Sequence, residues 1–125
     1  MKILSALLCV LFFFTGACAY KTADIVLDPD IVEQMNWIYD SWIEKGFCVS
    51  AGSVRGVHNV LEGDIFSSPM PLCFPDDIVF HTHSWFSESC ANFADWAVWE
   101  TYKERYGNTY FGIMFGKDNY TIYER

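Results

Sequence analysis

Two histidines alternate in the run Ile78-Val79-Phe80-His81-Thr82-His83, a polar loop follows, and an aspartate, Asp95, stands just inside a helical pattern. In an extended strand the side chains of residues i and i+2 point to one face. His81 and His83 therefore share a face with Val79, while Ile78, Phe80 and Thr82 face away. Two imidazoles at a strand end, with a carboxylate returned to them by a loop, are the ligand set of an open catalytic zinc site. Plainer roles compete: alternation alone exposes a strand-end pair of histidines, and Asn92 with Asp95 reads as a capping box at a helix start. The second role is compatible with metal ligation, because a ligand in the first helical turn is held rigidly.

Those side chains need elements to position them. Asp77 to His83 is predicted as the third strand, apolar on both faces before the histidines and hence central in a sheet. Asn92 to Tyr106 is predicted as a helix with Ala94, Ala97, Val98, Thr101 and Tyr102 as its inward stripe and Gly107 as its stop. Upstream, Asp28 and Pro29 open a first helix, whose stripe is Ile31, Met35, Ile38 and Trp42 and whose stop is Gly46. Phe47 to Ala51 reads as the first strand. Val57 to Leu61, resumed at Asp64 to Phe66, reads as the second. Pro69, Pro71 and Pro75 make residues 67 to 77 an irregular crossing. Tyr110 to Phe115 and Tyr120 to Tyr123 form a terminal hairpin. The expected fold is α/β, one small domain with a central mixed sheet sandwiched by helices.

His-x-His on a strand, then a loop, a small polar residue and an aspartate three residues on, after an upstream glutamate, resembles the motif of the JAMM (JAB/MPN) metalloproteases, whose fold is cytidine-deaminase-like. The resemblance covers most of residues 20 to 125 in element order and is sharp from Asp77 to Asp95. It implies that His81, His83 and Asp95 bind Zn²⁺, that Glu44 acts as general base, and that Asn92 occupies the place of the serine that supports the tetrahedral intermediate. Bound zinc lowers the pKa of a water to roughly 7, and a nearby carboxylate can pass the water proton to a leaving amine. The implied activity is hydrolysis of an amide or isopeptide bond in a peptide or protein, ubiquitin-like or peptidoglycan-type substrates being within the family's range. This chain departs from the pattern at Ser84, where the family has proline, at Asn92, and by one extra residue between His83 and Asp95. Glu44 stands about one position early, so Glu62 and Glu88 compete for its role. A degenerate, non-catalytic binding module on the same fold is the alternative, and a small secreted inhibitor or toxin-like domain is a third.

Residues 1 to 19 carry one early lysine, an apolar run from Ile3 to Phe14 and small residues at Ala17 and Ala19, the pattern of a secretory signal peptide cut before Tyr20. Secretion or a periplasmic location is expected, with Thr15 disfavouring a lipid anchor at Cys18. Eight Lys and Arg against 16 Asp and Glu give a net charge of −8, which argues against nucleic acid or an anionic membrane surface as partner. Cys48, Cys73 and Cys90 follow the signal and allow at most one disulfide and a free thiol unless Cys18 is retained; Cys73–Cys90 would tie down the loop beside the histidines, with Cys48 a buried thiol. His58 is expected at the surface. Trp37, Trp42, Trp96 and Trp99 are expected in the core, and Trp85 and Phe86 as a wall facing substrate.

Overall fold

The computed structural model describes residues 20–50, 56–85 and 89–125. Its elements are α1 (Pro29–Ile38), β1 (Lys45–Val49), β2 (Val57–Glu62), β3 (Ile78–Thr82), α2 (Phe93–Tyr106), β4 (Tyr110–Gly116) and β5 (Asn119–Glu124). The strands form one sheet in the order β2-β1-β3-β4-β5. β3 pairs antiparallel with β1 and parallel with β4, so the sheet is mixed and β3 is its centre. The parallel step is made by α2, as a crossover between parallel neighbours requires. Every residue of β3 is buried, which is why its sequence is apolar on both faces.

Alternation along the strands sorts the core into two layers. Phe47, Val49, Ile78, Phe80, Met114 and Ile122 pack with Leu27, and with Ile31 and Met35 of α1. Val79, Phe111, Ile113 and Tyr123 pack with Ala91, and with Trp99 and Tyr102 of α2. One helix thus covers each face, and the expected α/β sandwich stands. No helix among the described residues is long and apolar enough to cross a membrane.

The first helix is shorter than its stripe predicts. It stops at Ile38, with Tyr39 already extended, because local side-chain bonds compete with the helix. Asp40 accepts from Trp42 N at 2.8 Å, and Lys45 Nζ caps the Ile38 carbonyl at 2.8 Å. Trp42 is left 58% exposed and Trp37 85% exposed, so neither belongs to the core. Gly46 lies inside β1, and its role is close approach: a Cβ there would meet the carbonyl oxygen of Pro69. The 64–66 segment is not a strand. There Asp64 Oδ1 accepts from Phe66 N and Ser67 N, both at 2.9 Å, which turns the chain back over the sheet edge.

The second helix has the predicted ends. Asn92 and Asp95 form a reciprocal capping box, and Gly107 closes the helix in the left-handed conformation at φ 80°. Its buried face matches the predicted stripe only at Tyr102. Trp99 and Tyr102 are buried, while Ala94, Ala97, Val98 and Thr101 are exposed. Trp99 stacks on Phe111 at 5.2 Å and tilts against Tyr123 at 5.4 Å. Two apolar stripes overlap in this helix, and the one with the large aromatic rings removes more surface from water.

The disulfide also differs. Cys48 is bonded to Cys73, joining β1 to the proline-rich crossing, and Cys90 is disulfide-bonded as well. Neither a Cys73–Cys90 bridge nor a free Cys48 thiol exists. Residues 1 to 19, expected as a signal peptide, and Phe86 and Glu88 lie outside the described residues.

Candidate metal centre

The site forms where the C-terminal end of β3 meets the N-terminus of α2. β3 delivers His81, and His83 follows directly after the strand, fixed by its backbone N–H, which donates to Met114 O at 2.9 Å. The first turn of α2 brings Asp95. His81 Nε2 lies 3.0 Å from His83 Nε2 and 3.2 Å from Asp95 Oδ1, and His83 Nε2 lies 3.4 Å from Asp95 Oδ2. Both histidines are buried. The exposed-pair role of the histidines therefore fails, and the three side chains that the motif selects do converge.

Asp95 serves the helix and the cluster together. Its Oδ2 accepts from Asn92 N at 3.0 Å, and its own N–H donates to Asn92 Oδ1 at 2.9 Å. Burial pushes the Asp95 carboxyl upward in pKa. Hydrogen bonds from His81 and His83, the positive field of His81 and the bond from Asn92 N outweigh it and hold the group well below the usual carboxylate range. The cap occupies Asn92 Oδ1, so the carboxamide offers its Nδ2 as a donor, and Asn92 lines the same cavity as the histidines.

Glu44, the residue just before β1, lines the same cavity as the cluster and is 4% exposed. Its Oε2 accepts from Ser84 N at 3.1 Å, and Ser68 Oγ stands 2.9 Å from its Oε1. The Ser84 hydroxyl lies 3.3 Å from Oε2 and donates at 2.8 Å to Ile65 O. Ser68 Oγ is also 3.0 Å from Thr82 O, so its single proton bridges to one acceptor of two. Glu62 is elsewhere, on edge strand β2, 3.5 Å from Lys45 Nζ and exposed. Of the described glutamates weighed for the base, Glu44 is the one at the cavity.

The cavity is open and holds about 240 Å³. Glu44, Ser67, Ser68, Asn92 and the three clustered residues form its polar part; Phe66, Met70, Ala94, Val98 and Trp99 form its apolar part. Trp85 packs edge-on against Trp42 at 5.5 Å and does not line the cavity, and among the described residues the exposed aromatic ring in its lining is that of Phe66. Sequence reasoning missed Phe66, in the segment expected as a strand, and Ser68 and Met70, on the irregular crossing. The closely spaced Pro69 and Pro71 mark a rigid segment there but do not say where it runs. His58 is also misplaced by sequence reasoning: it is part-buried and 3.0 Å from Asp77 Oδ2.

Four-coordinate zinc with bonds of about 2.0–2.1 Å keeps its donors roughly 3.3 Å apart. The 3.0 Å between the two Nε2 atoms is close to that spacing, the Asp95 distances of 3.2 and 3.4 Å belong to its two separate oxygens, and one ligand atom from each of the three residues lies within 4.8 Å of the others; two imidazoles and one carboxylate are a donor set that suits zinc. Of the three clustered side chains, one has a polar atom left over: His81 Nδ1 is buried with no hydrogen-bond partner among the described residues, where a zinc-binding imidazole usually has an acceptor. A scan against protein-family models finds no match, and searches of curated proteins and of solved structures find none either.

Proposed function

We propose that this chain is a zinc-dependent hydrolase of the JAMM type, a peptidase or isopeptidase acting on a peptide or protein amide bond. The observation that carries the reading is the convergence of His81, His83 and Asp95 on one wall of a cavity to which Glu44 also contributes its carboxylate. Zn²⁺ held there supplies a Lewis acid and a water of lowered pKa, about 7. Glu44 takes a proton at its carboxylate and returns it to the leaving amine nitrogen. Ser84 N–H and Ser68 hold that carboxylate in one orientation, and Asn92 Nδ2 donates to the carbonyl oxygen as negative charge develops on it. Phe66, Met70 and Val98 exclude water from one side and favour an apolar side chain beside the scissile bond. Export to an oxidising compartment is part of the reading, supported by the apolar N-terminal run and the Cys48–Cys73 disulfide.

Metal analysis of protein purified without chelator tests the centre. We expect about one zinc per chain, lost in His81→Ala and Asp95→Ala. A well-folded, zinc-free protein would sink the proposal. A catalytically degenerate module on the same fold is the second reading, favoured by Asn92 in the serine position and by His81 Nδ1, which has no partner among the described residues. Zinc binding without cleavage of either a peptide library or an isopeptide-linked substrate would select it.

A further inference from the structure

A second group of metal-ligating side chains lies away from the cavity, and its chemistry is independent of the hydrolase reading. Cys48, His58 and Asp77 bring one ligand atom each to within 4.8 Å of one another. Cys48 and His58 are direct cross-strand partners on β1 and β2, and Asp77, just before β3, is 1% exposed. Its carboxylate is already oriented. Ser50 Oγ donates to Oδ1 at 3.0 Å, Phe74 N donates to Oδ2 at 2.9 Å, and His58 Nε2 lies 3.0 Å from Oδ2. Cys48 Sγ is bonded to Cys73 Sγ, and it is the thiolate of a cysteine, released when such a bond is reduced, that ligates metals.

We propose that reduction of the Cys48–Cys73 bond turns this cluster into a zinc site, with the two thiolates, a His58 nitrogen and the Asp77 carboxylate as its ligands. Four protein donors including two thiolates make a closed, structural type of site, suited to Zn²⁺ and not to Mg²⁺ or Ca²⁺. The sheet register and the hydrogen bonds to Asp77 place three donors beforehand, and Cys73 starts one covalent bond away. The step balances: a water-soluble phosphine takes oxygen from one water to become its oxide, and the two electrons and two protons released break Sγ–Sγ and leave two thiols. Metal binding then displaces both thiol protons to solvent. The Cys48–Cys73 pair and the metal are thus alternative cross-links between β1 and the proline-rich crossing.

Co²⁺ is the probe, because a cysteine-ligated cobalt shows thiolate-to-metal charge-transfer absorption and the nitrogen and oxygen donors of the cavity cannot. Added to the full chain, Co²⁺ is expected to give this band after phosphine reduction and none before it, and Zn²⁺ is expected to bleach it. Cys48→Ser and His58→Ala should each lose the band, while Cys90→Ser should keep it. The absence of a band in the reduced chain, whether or not circular dichroism shows it still folded, overturns the proposal. So does a band of unchanged intensity and affinity in His58→Ala, since any unfolded dithiol would then serve as well.

Discussion

Ser84 stands where the family resemblance would put proline, and that substitution supplies a backbone N–H which proline lacks. The N–H holds Glu44 Oε2 at 3.1 Å. Replacing Ser84 by proline leaves a buried carboxylate short of a donor, at a cost of about 1–3 kcal/mol. We expect Ser84→Pro to lower turnover and melting temperature while the zinc content holds, whereas Ser84→Ala keeps most of both. Equal activity in the two variants would show that the N–H is not what positions Glu44. Glu44→Gln should retain zinc and lose about 10²–10⁴-fold in turnover, read by steady-state cleavage beside metal analysis. Asn92 combines two roles that substitutions can separate. Asn92→Ala should cost about 1 kcal/mol through the lost cap and about 10²–10³-fold in turnover. Asn92→Ser should restore the cap, which thermal melting would register independently of rate.

At the scale of elements, α2 carries the sharpest test of packing. Trp99 is fully buried between Phe111 and Tyr123, so Trp99→Ala should destabilise by about 3–5 kcal/mol. Ala97, on the stripe that periodicity selects, is exposed, and Ala97→Ser should stay within about 0.5 kcal/mol of the parent. Chemical denaturation of the two variants would reveal which face is inside. Tyr102 adds a pH signature on the same face: burial, with a smaller contribution from Tyr106, pushes its hydroxyl up to about 12 from 10.0, and it donates to Pro71 O at 2.7 Å. A raised folded-state pKa favours the protonated form, so this contribution is whole below pH 10 and fades as pH rises toward about 12. Tyrosinate absorbance tracked with melting temperature should show that alkaline loss, and Tyr102→Phe should remove the component.

For the molecule as a whole, the Cys48–Cys73 bond ties the central sheet to the crossing that supplies Ser68 and Met70 to the cavity. Replacing both cysteines by alanine should cost about 2–4 kcal/mol, read by urea denaturation of the metal-free protein. What the sequence by itself determined is local. The period-two run of Ile78 to His83 fixed which face the histidines share, and Asn92, Asp95 and Gly107 fixed both ends of α2, because pleat, cap and left-handed turn depend on near neighbours in the chain. What only the tertiary structure decided is which of two overlapping stripes of α2 turns inward, which cysteine meets Cys48, that α1 stops four residues before Trp42, and that His58 reaches Asp77. Each depends on a partner a dozen or more residues distant in the chain, save the early stop of α1, where Asp40 competes for the backbone. The serines around Glu44 belong with these: a proline-rich crossing has no periodicity from which its path could be read, and packing against β1 at Gly46 is what lays it over the site.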